Sequence, residues 1–222
     1  MNVNAVVFLD LIKAFDTVDH TILLSKLSTY RIQENAYNWF KSYLENRTLT
    51  CSVSGSLSKT CSLQCGIPQG TILGPLLFLL YINDLPNCLT NSYPRRYADG
   101  THLTHADKNL NIIHSCLNED LLNISKWVIA NKLALNVTKT EFMLIGLRQN
   151  LNALTASPVL SINGTSVKQV PMSKSLGVLI DANLTWGSHI EKLAKKIASG
   201  IAAIKRVRHL FPQQHCIVST KP

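Results

Sequence analysis

The sequence predicts an α+β fold, an antiparallel sheet backed by helices, and three observations lead there. Short β-prone runs are joined by turn residues, most clearly Val159-Leu160-Ser161-Ile162 and Thr165-Ser166-Val167 across Asn163-Gly164, both of which tolerate positive φ. Longer runs carry apolar residues at spacings of three and four, the pattern of a helix with one buried side. Hydrophobic residues make up 46% of the chain and charged residues 16%, which suits a packed core and excludes a disordered chain.

The first apolar run, Ala5 to Leu9, reads as a central strand that ends in Asp10. Asp19 or Thr21 then caps a helix through about Tyr30, with Ile22, Leu23, Leu24 and Leu27 on its apolar side. A second helix, about Glu34 to Glu45, places Ala36, Trp39, Phe40, Tyr43 and Leu44 at spacings of three and four, and its aromatics read as core in preference to a base-stacking platform. Polar and apolar residues alternate from Thr48 to Val53, and Lys59 to Cys65 returns antiparallel across Ser54-Gly55-Ser56.

The Gly66 to Gly70 turn feeds an apolar helix, Leu73 to Asn83, that Pro86 helps to stop. Tyr97 and Thr101 to Ala106 suit the two strands of a hairpin. Leu110, Ile113, Leu117, Leu121, Ile124 and Val128 form the clearest helical stripe in the chain. Short strands at Leu133 to Leu135 and Glu141 to Ile145 flank Val137-Thr138-Lys139, residues 147–158 look like a polar linker, and Leu176 to Asp181 gives another strand.

The last helix, about Ser188 to Leu210, has Ile190, Leu193, Ile197, Ile201 and Ile204 on one face. Lys192, Lys195, Lys196 and Arg206 fall on roughly the opposite face, which is either simply solvated or offered to phosphates. The formal charge is +9, and from Trp186 onward seven Lys or Arg residues face the single acid Glu191. That balance favours a polyanionic partner.

A chain of 222 residues holds one sizeable core, or one core and a small appendage. Its six cysteines show no C-x-x-C pair and no histidine at zinc-ligand spacing, so reduced, buried thiols are expected. The longest apolar run, Ile72 to Ile82, is about half the length a bilayer demands. No signal peptide or membrane span is evident, and an intracellular setting follows as the expectation.

Chemistry centres on two acids. Asp10 follows Phe8-Leu9, and Asp99 follows Tyr97-Ala98, so each carboxylate is expected at the end or turn of a buried strand. An aspartate there is often no more than a turn or cap residue. Brought together on neighbouring strands, however, two such groups repel unless a divalent cation lies between them. The pattern therefore suggests a magnesium site for phosphoryl transfer.

Between the acids lies Cys65-Gly66-Ile67-Pro68-Gln69-Gly70-Thr71-Ile72-Leu73-Gly74-Pro75-Leu76. With FLDLIKAFDTVDH, GIPQGTILGPLLFLLYINDLP, YADGT, NKLALNVTKTEFM and SKSLGVLID, this block gives nearly the whole chain a resemblance to the reverse transcriptases of non-long-terminal-repeat retrotransposons, most of all jockey-like elements. The resemblance implies a polymerase palm over residues 1–146, connecting strands over 147–185 and a basic, thumb-like helix over 186–222. It also implies that most of the fingers are absent and that the chain is a truncated copy starting at the first palm carboxylate motif.

By that resemblance Asp10 and Asp99 are shared ligands of two Mg²⁺ ions, with the backbone carbonyl of Leu11 assisting. Phe15 would exclude a ribose 2′-hydroxyl; the alternative is a plain core residue. Pro68, Gln69 and Gly70 would contact the incoming nucleotide and the template, glycine permitting close approach. Lys139 would neutralise the leaving pyrophosphate, though a solvated loop lysine is the ordinary alternative. Ser175 to Gly177 resemble a primer grip. The implied partners are an RNA template, a DNA primer duplex and deoxynucleoside triphosphates, with no membrane.

One departure stands out. The family's turn block normally carries two consecutive aspartates, and Gly100 replaces the second here. That loss, with the missing fingers, implies an impaired polymerase, alongside the alternatives of a working enzyme and a non-catalytic nucleic-acid-binding module.

Overall fold

The computed structural model describes residues 2–68, 70–97, 100–154 and 156–208. The chain divides into two compact units, Met1–Val170 and Pro171–Pro222.

In the first unit, β1 (Val3–Leu9) leads to α1 (His20–Thr29) and α2 (Glu34–Leu44). Two short ladders follow: β2 (Thr48–Leu49) pairs with β5 (Cys61–Ser62), and β3 (Ser52–Val53) with β4 (Ser56–Leu57). Ser54 and Gly55, at φ of 49° and 84°, form the expected turn. Next come α3 (Leu73–Ile82), a 3₁₀ turn at Leu85–Cys88, β6 (Tyr93–Tyr97), β7 (Gly100–Asp107), α4 (Leu110–Ala130) and β8 (Glu141–Ile145). The unit closes with α5 (Arg148–Asn152), the hairpin β9 (Ser161–Ile162) and β10 (Thr165–Ser166), and β11 (Lys168–Gln169).

The main sheet has the order β11-β8-β1-β7-β6. Its three inner pairings are antiparallel as expected, but β11 runs parallel to β8, so the sheet is mixed. The connection through residues 146–167 is long enough to return the chain in the same direction. One face of β1 (Val3, Ala5, Val7 and Leu9) lies in the core with Leu103 of β7 and Phe142 of β8, where Leu23 and Leu27, Leu77 and Phe78, and Ile113, Leu117 and Leu121 of the helices join them. The period of two along the strand and the three-and-four spacing of α4 explain this match.

Buried polar groups tie the elements together. The Tyr81 hydroxyl donates to the Asn131 carbonyl at 2.6 Å and accepts the Asp19 N–H at 3.3 Å, joining α3, the end of α4 and the start of α1. Asp120, fully buried on α4, accepts the N–H groups of Thr90 and Asn91. Asp19 caps α1 by accepting the Ile22 N–H.

Several expectations change. On α2 only Leu44 is buried; Phe40 and Tyr43 are half-buried and Trp39 is 53% exposed, because the helix lies at the edge of the core. Residues 147–158 are not irregular throughout: they include α5, and Leu151 and Leu154 pack on the core. Residues 133–135 form a single bridge in place of a strand. The five described cysteines are free thiols, exposed or half-buried. Among the described residues no helix is long and apolar enough to cross a membrane.

The second unit holds a hairpin of β12 (Met172–Ser175) and β13 (Val178–Asp181), then α6 (Gly187–Val207). Leu176 and Gly177, at φ of 49° and 86°, form the turn, so the expected strand starts two residues later. Asp181 accepts the N–H groups of Asn183, Thr185 and Trp186, shaping the entry to α6.

Candidate active site

Strand β1 carries the chain through the sheet interior and releases it at Asp10. There the backbone is held from one side by residues 134–140. The Asp10 N–H donates to Thr140 Oγ1 at 3.3 Å, the Asp10 carbonyl accepts the Asn136 N–H at 2.8 Å, and the Ile12 N–H donates to the Ala134 carbonyl at 2.8 Å. Thr140 donates in turn to the Asn136 carbonyl, which also accepts the Lys139 N–H. The turn bearing Lys139 is thus anchored on the backbone of Asp10, with the lysine itself exposed.

Leu11 bridges Leu135, and the hydrogen bonds of that bridge belong to the residues on either side of it. In antiparallel geometry this turns the Leu11 carbonyl away from residues 134–136, toward the side on which β7 flanks β1. The Asp10 residue is half-buried, and among the described residues its carboxylate has no hydrogen-bond or ion-pair partner. A free carboxylate beside an outward carbonyl is a hard-oxygen donor set that suits Mg²⁺.

Asp99 lies outside the described residues, as does Gln69. The flanks of Asp99 are defined: Tyr97 pairs with Gly100 across the β6–β7 turn, and Thr101 pairs with Leu9, the residue before Asp10. A Cβ added at Gly100 would meet the Tyr97 carbonyl oxygen at 3.3 Å.

The second part of the site is the loop after the β2–β5 ladder. Gly66 donates to the Val18 carbonyl, Ile67 to the Phe15 carbonyl, and His20 Nε2 meets the Gly66 carbonyl, each at 2.8 Å. Gly66 has φ of 89° and a Cβ there would stand 3.0 Å from the Asp16 carbonyl oxygen, so glycine is required. Thr71 donates to the Pro68 carbonyl and accepts the Gly74 N–H, closing the loop onto α3.

These contacts bring Phe15, Pro68 and Gly70 to one cleft of about 510 Å³, with Thr71, Gly74 and Pro75. Phe15 stacks on Phe78 at 4.6 Å and is half-buried, so it packs on the core and lines the cleft at once.

The basic residues Lys192, Lys195, Lys196 and Arg206 lie on α6 and are exposed; Lys195 pairs with Glu191 at 2.6 Å. The residues of the apolar face, Ile190, Leu193, Ile197, Ile201 and Ile204, are exposed too. Of Ser175 to Gly177, Ser175 ends β12 and pairs with Val178, and Leu176 and Gly177 form the turn.

Sequence reasoning did not assign Asn136, Thr140 or Thr71. Their roles arise from backbone contacts between distant segments, and no spacing in the chain announces those. It also favoured core over a base-stacking platform for the α2 aromatics, and Trp39 is exposed.

Residues 2–180 match the family described as reverse transcriptase (RNA-dependent DNA polymerase), and the chain belongs to that family. Within it, the similarity runs to the enzymes of jockey-like retrotransposons. The chain is 32% identical over 197 residues to the probable RNA-directed DNA polymerase from transposon BS of Drosophila melanogaster, covering 86% of this chain and 21% of that protein. It is 29% identical over 202 residues to the RNA-directed DNA polymerase from mobile element jockey of the same species, covering 88% and 21%. The chain thus spans about a fifth of the length of these relatives. Among solved structures, apo telomerase from Candida tropicalis aligns with a TM-score of 0.56 at 13% identity, covering 84% of this chain and 35% of that one, a likeness of fold.

Proposed function

We propose that this chain carries the palm of an RNA-directed DNA polymerase and performs Mg²⁺-dependent nucleotidyl transfer slowly. The observation that carries the reading is the Asp10 carboxylate, unpartnered among the described residues, at the end of a buried central strand whose backbone is fixed on both sides. Asp99 stands two residues before Thr101, the partner of Leu9, and this reading takes it as the second acid of the site.

Divalent ions held by Asp10, Asp99 and the Leu11 carbonyl would supply charge neutralisation for the attacking hydroxyl and the departing pyrophosphate. The protein's own residues do the rest. Phe15 walls the cleft where a 2′-hydroxyl would sit, Pro68 and Gly70 hold the loop open beside it, and Lys139 offers a cation on a turn seated on Asp10. The exposed lysines of α6 suit a duplex backbone, as a thumb does, and make binding salt-dependent. Gly100 leaves the site one negative charge short of its family pattern, and a deficit of a few kcal/mol in a water-poor site slows the step by roughly 10²-fold.

The test is primer extension on an RNA template with Mg²⁺. Weak extension that Asp10→Asn and Asp99→Asn each remove supports the reading; extension unchanged by Asp10→Asn overturns it. The exposed basic face of α6 favours one competitor, a non-catalytic binder of nucleic acid. Duplex binding that is lost on neutralising Lys192, Lys195, Lys196 and Arg206, with no extension under any condition, would select that competitor.

A further inference from the structure

Helix α2 presents a strip of planar groups that the catalytic reading does not use. Trp39 and Tyr43, one turn apart, lie nearly parallel, with ring centroids at 5.9 Å and an interplanar angle of 12°. The Arg47 guanidinium, three residues past the end of the helix, sits over the Tyr43 ring at 5.3 Å. Phe40 meets Trp39 edge-on at 5.1 Å and steadies the indole, which is nevertheless 53% exposed. An exposed indole braced by two rings has little rotamer freedom left to lose on binding.

The strip is continuous with the cleft. The Tyr43 hydroxyl donates to Thr71 Oγ1 at 3.4 Å, and Thr71 is one of the residues that line the cleft beside Phe15 and Gly70. The segment that carries the strip is basic in sequence: residues 31–63 hold Arg31, Lys41, Arg47 and Lys59 against Glu34 and Glu45, and Lys41 stands 3.8 Å from Glu45. Flat rings, a guanidinium beside them and a net positive segment match unpaired bases on a phosphate backbone.

We propose that Trp39, Tyr43 and Arg47 form a stacking platform for a single-stranded nucleic acid as it passes to or from the cleft. This rests on reading the cleft as the site that takes template and primer. The exposed Trp39 ring would take a base, with the Tyr43 ring and the Arg47 guanidinium beside it.

The test is fluorescence anisotropy of the full chain with labelled oligouridylate and oligothymidylate of about 12 nucleotides and a duplex of the same length, without Mg²⁺ or nucleotides. Trp39→Ala is expected to weaken single-strand binding by about 10-fold or more and leave duplex binding within about twofold. Trp39→Phe and Tyr43→Phe, which keep a ring, are expected to bind within about threefold of the parent chain. Preference for the RNA probe assigns the strip to a template, and preference for the DNA probe to a primer or displaced strand; either supports it.

Unchanged single-strand affinity in Trp39→Ala overturns the proposal, as does an equal loss of duplex binding or no single-strand binding by the parent. A chain that binds single strands through the strip yet extends no primer leaves the platform standing and removes the catalytic reading instead.

Discussion

Thr140 accepts the backbone N–H of Asp10 through its side-chain oxygen at 3.3 Å, a bond between residues 130 positions apart. Thr140 is 1% exposed and also donates to the Asn136 carbonyl, so its hydroxyl fixes both the strand end and the turn that carries Lys139. Thr140→Val keeps the shape and deletes both bonds, leaving the Asp10 N–H without that partner. It is expected to cost about 1–3 kcal/mol in urea denaturation and to lower primer extension, whereas Thr140→Ser restores most of both.

Tyr81 joins three elements, and burial pushes its phenol up to about 12. The neutral form, which donates to the Asn131 carbonyl, is the one the fold needs. The unfolded chain loses that proton near the ordinary value of 10.0 while the folded chain keeps it, so the stabilisation is complete below that pH and is lost as pH rises toward about 12. Tyr81→Phe is expected to lower stability by about 1–3 kcal/mol at neutral pH and to flatten the alkaline decline, read from denaturation midpoints across that window.

Much of this architecture was legible because periodicity and turn chemistry agreed. Ile113, Leu117, Leu121, Ile124 and Val128 are buried as their spacing demands, and Asn163 and Gly164 take positive φ at their hairpin. Phe15, Pro68 and Gly70 share a cleft because motif order reflects a loop that folds back on β1's exit. What stayed hidden is non-local. The parallel edge strand β11 depends on where a long connection lands, and the seat of Asp10 depends on backbone groups that every residue possesses. The aromatics of α2 showed helical spacing, but spacing alone does not say whether a neighbour covers them.

Asp19 caps α1 and meets the Lys132 ammonium at 2.6 Å. Burial pushes its carboxyl up, but the Lys132 contact and the Ile22 N–H outweigh burial and hold it net below the ordinary 3.8. Its contribution is therefore present above that value and lost as pH falls through the lower, folded one. Asp19→Ala is expected to cost about 0.5–2 kcal/mol at neutral pH. Asp19→Asn keeps a cap but not the charge, so its urea midpoint should fall less than the parent's between neutral pH and pH of about 3.

Gly100 opens β7 opposite Tyr97, and its φ is not in the left-handed region, so the backbone itself accepts a side chain. The obstacle is the Tyr97 carbonyl oxygen, 3.3 Å from an added Cβ, a contact that a shift of a few tenths of an ångström relieves. Gly100→Asp is therefore expected to fold, with a stability change within about 1 kcal/mol when Mg²⁺ is present. The new carboxylate would stand next to Thr101, the partner of Leu9, and add to the charge of Asp10, so chelation should lower the melting temperature of the variant more than that of the parent. Primer extension is expected to rise by about 10-fold or more. A variant that folds, gains no Mg²⁺-dependent stability and extends no faster than the parent would show that the missing aspartate is not what limits this chain.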